Sequence, residues 1–276
     1  MSKLVIGSIG TKGNGGSLII GGNSDISSVP DTTKNNSFSL SEQLQKTQNN
    51  AAHKQKPLLV YLMVDLTSSR EGTRDTMRSH EQSLAKLIMD AGGDHLVVCK
   101  GVYHSGGRCS QAETLVDEDA ILRFLDKEPE AGLTNIVSAL EQYRDDETED
   151  ILSLGVLIGD AADGDSRDSL INMAASLKTK NRPLVIAHQR LNYNESHEFC
   201  SSVVPAMTQK GEGLDFSLGS QPKELHALLS NYKKILTATP DDLKATANNR
   251  GGIQFIGDSA TQRFAHTQAN LLLTHD

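Results

Sequence analysis

The 276-residue chain contains no run of about 18 apolar residues, so nothing in it has the length and character of a membrane-crossing helix. Its opening, MSKLVIGSIG, offers one Lys followed by glycines rather than an apolar export core with a cleavage site. Cysteine is scarce: Cys99, Cys109 and Cys200 are odd in number and form no CxxC pair. That argues against a disulfide framework and for a reduced, cytoplasmic protein. Positive charge is also in deficit. A formal net charge of −8 and a pI near 5.6 set aside a general nucleic-acid-binding role.

Signatures of catalysis are missing as well. There is no GxSxG elbow and no Walker GxxxxGK(S/T) loop. Asp65-Leu66-Thr67 has Thr where a phosphotransferase aspartate loop needs a second Asp, and no His accompanies it to serve as general base. A metal-assisted hydrolase is the lesser alternative to a binding protein, and the expectation is that the chain is not an enzyme. His95, Cys99, His104 and Cys109, and separately His188, His197 and Cys200, lack the paired spacing of a structural zinc site.

What is present falls into three zones. Residues 1–56 are rich in Gly, Ser and Asn, and hold six Lys against three acids, a charge of about +3. The remainder then carries about −11, since −8 minus +3 is −11. LVIGSI and SLII flank the Gly-rich TKGNGG, a pattern that suits a β-hairpin in an otherwise linker-like arm.

Residues 57–236 alternate strand and helix signals. PLLVYLMVD, HLVVCKGVYH, ILSLGVLIGD and PLVIAHQ are continuous apolar runs, as expected of parallel strands covered on both faces, and GLDFSLG reads as a last short strand. Between them, apolar residues recur at helical spacing over 73–91, 134–144 and 167–179, and again from Leu225 to Leu236. The order predicts an α/β fold with a doubly wound, mostly parallel central sheet flanked by helices. Residues 237–276 are expected to form a short C-terminal extension, with a helix start at Thr239-Pro240 and a last helix over 260–273.

The first long strand ends in Asp65-Leu66-Thr67-Ser69 spacing, with Ser68 between the last two. Alternate residues there place one carboxylate and two hydroxyls on a loop at a strand's carboxyl end. Such hard oxygen ligands suit Mg²⁺, and Mn²⁺ equally. Two further features coincide. Thr134 opens a helix in GLTNIVSAL, and Asp160 ends the strand ILSLGVLIGD. The competing reading makes Asp65 and Thr134 simple turn and cap residues. Asp163 and Asp165 read as loop residues, with Asp165 or Ser166 capping the next helix; the alternative is that they steer cations or tune metal affinity. The acidic run from Asp145 to Asp150 reads as a solvated loop, with docking to a basic partner as the alternative. His104 to Arg108 is expected as a loop near the same face.

Together these residues resemble the von Willebrand factor A family and its metal-dependent adhesion site (MIDAS). Asp65, Thr67 and Ser69 match the DxSxS element, with Thr for the middle Ser. Thr134 matches the later Thr, and Asp160 the later Asp, flanked here by Gly and Ala. The likeness spans residues 57–236. It implies that Ser69, Thr67 and, in one state, Thr134 contact the metal directly, while Asp65 and Asp160 act through waters. It implies one open position for the acidic side chain of a protein partner. The missing export core points to an intracellular multiprotein assembly rather than a cell-surface adhesin, and the acidic charge and lack of a long apolar run leave no nucleic-acid or membrane ligand expected. Self-association through the arm is a further expectation. A protein that keeps the fold for assembly and needs no metal is the alternative.

Overall fold

Every residue of strand β1, Leu58–Asp65, is buried, because the strand is covered on both sides. Leu58, Val60, Leu62 and Val64 enter one apolar cluster, while Leu59, Tyr61 and Met63 enter another. Alternate side chains of a strand point to opposite faces, so a strand between two helical layers must be apolar throughout. The computed structural model describes residues 58–69, 84–91, 97–147, 152–218 and 222–274. The expected arm of residues 1–56 and the first part of the predicted 73–91 helix lie outside them.

Residues 84–91 form helix α1. Strand β2 is Val97–Ser105, followed by the short β3 (Arg108–Cys109) and β4 (Glu113–Leu115). Helix α2 (Glu118–Leu125) starts at Asp117, whose side chain accepts from the Ala120 amide. Helix α3 is Ile136–Arg144, β5 Leu152–Gly159, α4 Arg167–Thr179 and β6 Leu184–His188. Helix α5 (Asn194–Glu198) passes through a π turn, Phe199–Val203, into α6 (Val204–Gly211). Pro205 explains the turn: it has no amide hydrogen and its ring crowds the carbonyl four residues back, so the ladder widens, and the Val204 amide donates to the Phe199 carbonyl instead. Strand β7 is Leu214–Ser217, α7 Pro222–Thr237, α8 Pro240–Ala247 and α9 Ser259–Thr274.

The sheet runs β3-β2-β1-β5-β6-β7, with β4 also on β2. The neighbours β2-β1, β1-β5, β5-β6 and β6-β7 are parallel, whereas β3 and β4 are antiparallel to β2. This is the expected doubly wound, mostly parallel α/β fold. From β1 the chain builds outward to β2 on one side and to β5, β6 and β7 on the other. The β1/β5 boundary is therefore the topological switch point, where the loops diverge and leave a crevice beyond the carboxyl ends.

Helices α8 and α9 do not stand apart. Leu243, Phe264, Ala265 and Ala269 belong to the same core cluster as β1, and all lie in the compact unit Lys54–Asp276. The run GGIQFIGD is irregular. Among the described residues, no helix is long and apolar enough to cross a membrane. The acidic run is partly built in: the Asp146 side chain is 7% exposed and pairs with Lys100.

Adjacent strands also place a histidine against a carboxylate. His188 Nε2 lies 3.7 Å from Asp215 Oδ2. Burial opposes the imidazolium, but the neighbouring Asp215 carboxylate and Cys200 outweigh it and carry His188 up to about 9. A raised histidine stabilises the fold fully below its unfolded value of about 6.5 and loses that contribution as pH climbs through about 9. With Asp215 partly exposed, urea unfolding should show a loss of about 1–2 kcal/mol over that window. Asp215→Asn should flatten the profile, and a flat wild-type profile would refute the pairing.

Candidate metal centre at the sheet switch point

Strand β1 delivers Asp65 at its last position, 1% exposed, opposite His104 of β2. On the other side Val64 pairs with Ile158, so Asp160, the first residue past β5, emerges beside it. Both carboxylates thus stand at the switch point. The first residues past β1 are fixed by backbone bonds: the Leu66 amide donates to the His104 carbonyl at 3.1 Å, and the Glu130 amide to the Leu66 carbonyl at 2.7 Å.

Asp65 Oδ1 accepts the Thr67 amide at 2.8 Å, a local turn that swings Thr67 back over the strand end. Thr67 Oγ1 and Ser69 Oγ lie 2.9 Å apart, and Ser69 Oγ donates to Asp160 Oδ1 at 3.3 Å. Four of the five expected residues therefore form one hydrogen-bonded chain. Thr134, 1% exposed, is tied to the neighbouring loop: its amide and its hydroxyl each donate to Asp163 Oδ1 at 3.0 Å, and its oxygen accepts the Gly164 amide at 3.2 Å. That loop passes so close that a Cβ on Gly164 would stand 1.7 Å from the Thr134 carbonyl oxygen.

Tyr193 was not anticipated, and Asp163 takes a more specific role than expected. The Tyr193 hydroxyl, from the loop after β6, donates to Asp160 Oδ2. Asp163, read in the sequence as a loop residue, holds Thr134. Ser166 does cap α4, accepting from the Ser169 amide. Asp165 instead turns to the start of α3 and accepts the amides of Ile136 at 2.6 Å and Val137 at 3.3 Å. The position of Tyr193 on a carboxyl-end loop was the available signal, since every such loop borders the crevice.

The electrostatics are those of crowded, buried carboxylates. Burial raises Asp160 to about 6, with the charges of Asp65 and Asp163 adding to it and hydrogen bonds from Tyr193 and Ser69 opposing it. Burial and the bond to Asp160 push the Tyr193 phenol up. His104, fully buried, is lowered to about 4 by desolvation and stays neutral. Among the described residues, both hydrogen-bond partners of Asp160 are hydroxyls. Two negative groups at one strand junction, bridged by hydroxyl oxygens, fit a hard divalent cation. Among the described residues, no three His, Cys, Asp or Glu side chains are grouped to hold a metal, so any centre here takes hydroxyl oxygens.

No protein-family profile and no curated protein sequence matches this chain. Solved structures do resemble it. The pilus adhesin SpaC from Lactobacillus rhamnosus GG, in an open conformation, superposes with a TM-score of 0.51 at 14% identity, over 66% of this chain and 30% of that one. A von Willebrand factor type A protein from Catenulispora acidiphila gives 0.50 at 11% identity, over 65% of this chain and 43% of that one. Proximal thread matrix protein 1 from the mussel byssus, solved with a zinc-occupied MIDAS motif, gives 0.48 at 14% identity, over 70% and 51%. The chain matches only about a third of the adhesin and under half of the Catenulispora protein. The first two likenesses establish the architecture: this chain has the von Willebrand factor A fold.

Proposed function

We propose that this chain is a metal-dependent protein-interaction module that captures an acidic side chain of a partner. The observation that carries the reading is the hydrogen-bonded chain Asp65–Thr67–Ser69–Asp160 at the switch point. Asp65, Thr67, Ser69, Thr134 and Asp160 are the residues that would hold Mg²⁺ or Mn²⁺. The ion supplies positive charge that attracts a carboxylate, because its protein ligands are mostly neutral hydroxyls. The chain's own residues do the positioning. Asp65 orients Thr67 through its backbone, Tyr193 fixes Asp160, and Asp163 holds Thr134 in reserve.

Leu133, next to Thr134, is 54% exposed. A large apolar side chain left in water beside the site suits a contact with a protein surface. The proposed role is binding without turnover. Unpaired thiols at Cys99, Cys109 and Cys200 support a reducing, cytoplasmic setting for the assembly it joins.

Pull-down from native lysate with wild type and Asp65→Ala, each in Mg²⁺ and in EDTA, tests the reading. A partner retained only by wild type in Mg²⁺ is the expected result. Equal retention in all four conditions would refute metal-mediated capture and favour a purely structural role.

A further inference from the structure

A cavity of about 150 Å³ opens a few residues beyond Asp160, between the start of α4 and the α5–π segment. Its floor is apolar, formed by Ala162, Leu170, Phe199 and Val203. Its rim is acidic: Asp163 and Asp165 stand on one side, Glu195 and Glu198 on the other. Among the described residues, Arg167 is the single cationic group in the lining, so carboxylates exceed it there by three. Asp163 and Asp165 are committed to Thr134 and to the start of α3. Glu195 and Glu198 are exposed, and neither pairs with a described residue. Three apart on one helix, they lie on the same side of α5.

An apolar floor under an anionic rim matches one kind of side chain. Lys and Arg lay an aliphatic stem along apolar surface and keep the charged head among polar groups. The floor takes the stem and the rim takes the head. The π turn helps to build the floor, because Phe199 and Val203, both buried, belong to it. The cavity also shares Asp163 with the loop that holds Thr134, so a ligand at the metal site and one in the cavity would be neighbours.

We propose that this cavity receives a basic side chain of the same partner whose carboxylate engages the metal site. The partner segment is then one that carries an acidic and a basic residue at a fixed separation. This rests on the reading of the metal site for its geometry but not for its test. The first arm uses the full chain in EDTA and follows the methyl resonances of Ala162, Leu170 and Val203 during titration with N-acetyl-arginine amide. Saturable shifts are expected, absent with N-acetyl-citrulline amide and absent in an E195Q/E198Q variant. No shift at those methyls, or equal shifts with citrulline, would overturn the cavity's assignment.

The second arm measures anisotropy of Gly/Ser peptides carrying one Asp and one Arg at graded separations, in Mg²⁺. At the fitting separation the Arg peptide should bind about tenfold tighter than its citrulline counterpart, and E195Q/E198Q should erase that preference while keeping the dependence on Asp and Mg²⁺. Arg preference without Asp or Mg²⁺ dependence would support the cavity and refute the metal reading. Asp and Mg²⁺ dependence without Arg preference at any separation would do the reverse.

Discussion

Asp160→Asn should make the protein more stable in EDTA, by about 1–2 kcal/mol near pH 7.5, while cutting its gain from Mg²⁺ to about 0.4 kcal/mol. The carboxylate is buried and faces Asp65, and its partners among the described residues are hydroxyls. Its value in the fold, about 6, lies above the ordinary carboxylate range. A raised acid disfavours the folded state once it ionises: the penalty is absent below about pH 4 and complete above about pH 6. Asparagine keeps an oxygen to accept the Tyr193 hydroxyl and a shape to fill the space, but carries no charge.

Wild type, in Mg²⁺ at about 100 times its dissociation constant, should gain about 2.7 kcal/mol. At this size that corresponds to roughly 5–10 °C in Tm. The variant should lose affinity on the order of 100-fold and show no such shift. Thermal melts with and without Mg²⁺ decide it. A variant that is destabilised in EDTA yet rises with Mg²⁺ as far as wild type would show that Asp160 is a structural hydrogen-bond acceptor and not a ligand.

The opposite signs of those two effects follow from features of unequal legibility. The strands were readable because both faces of β1, β5 and β6 are covered, which forces continuous apolar runs such as LLVYLMVD. Helix α4 matches its predicted bounds, since Leu170, Ala174 and Leu177 repeat at helical spacing behind a Ser cap. Helix α2 was not anticipated, although Asp117 and the trio Ile121, Phe124 and Leu125 carry both a cap and a stripe. Its shortness hid it.

The site divides along the same line. Asp65, Thr67 and Ser69 are brought together by local chain geometry, which spacing encodes. Asp163 on Thr134, Asp165 on α3 and Tyr193 on Asp160 bridge 29, 29 and 33 positions. Contacts of that kind depend on how loops converge at the switch point. A local pattern assigns Asp165 to the helix that follows it, whereas the folded chain uses it on the helix that precedes it. In the 237–276 segment the helix start at Thr239-Pro240 and the last helix were readable, but their packing was not: Leu243, Phe264, Ala265 and Ala269 join the β1 cluster through contacts that no local pattern encodes.

The largest loss of stability should come from the other face of the sheet, at Tyr143. Its ring is fully buried, 5.3 Å from that of Tyr61, and its hydroxyl donates to the Pro183 carbonyl at 2.9 Å. Gly155 of β5 leaves the space for it: a Cβ there would stand 2.4 Å from the Tyr143 ring. Tyr143→Ala should cost about 4 kcal/mol through lost burial and the cavity left behind. Tyr143→Phe should cost about 1 kcal/mol, since the Pro183 carbonyl loses the hydroxyl but keeps the Gly155 amide as a donor at 3.0 Å. Gly155→Ala should cost about 2–3 kcal/mol by driving the ring out of place. The two sites are coupled through one volume, so introducing Gly155→Ala into the Tyr143→Ala protein should cost almost nothing. Chemical denaturation of wild type, the two alanine variants and their double then gives a coupling of about 2 kcal/mol. Simple additivity would mean that Gly155 is required for its backbone and not for the ring it accommodates.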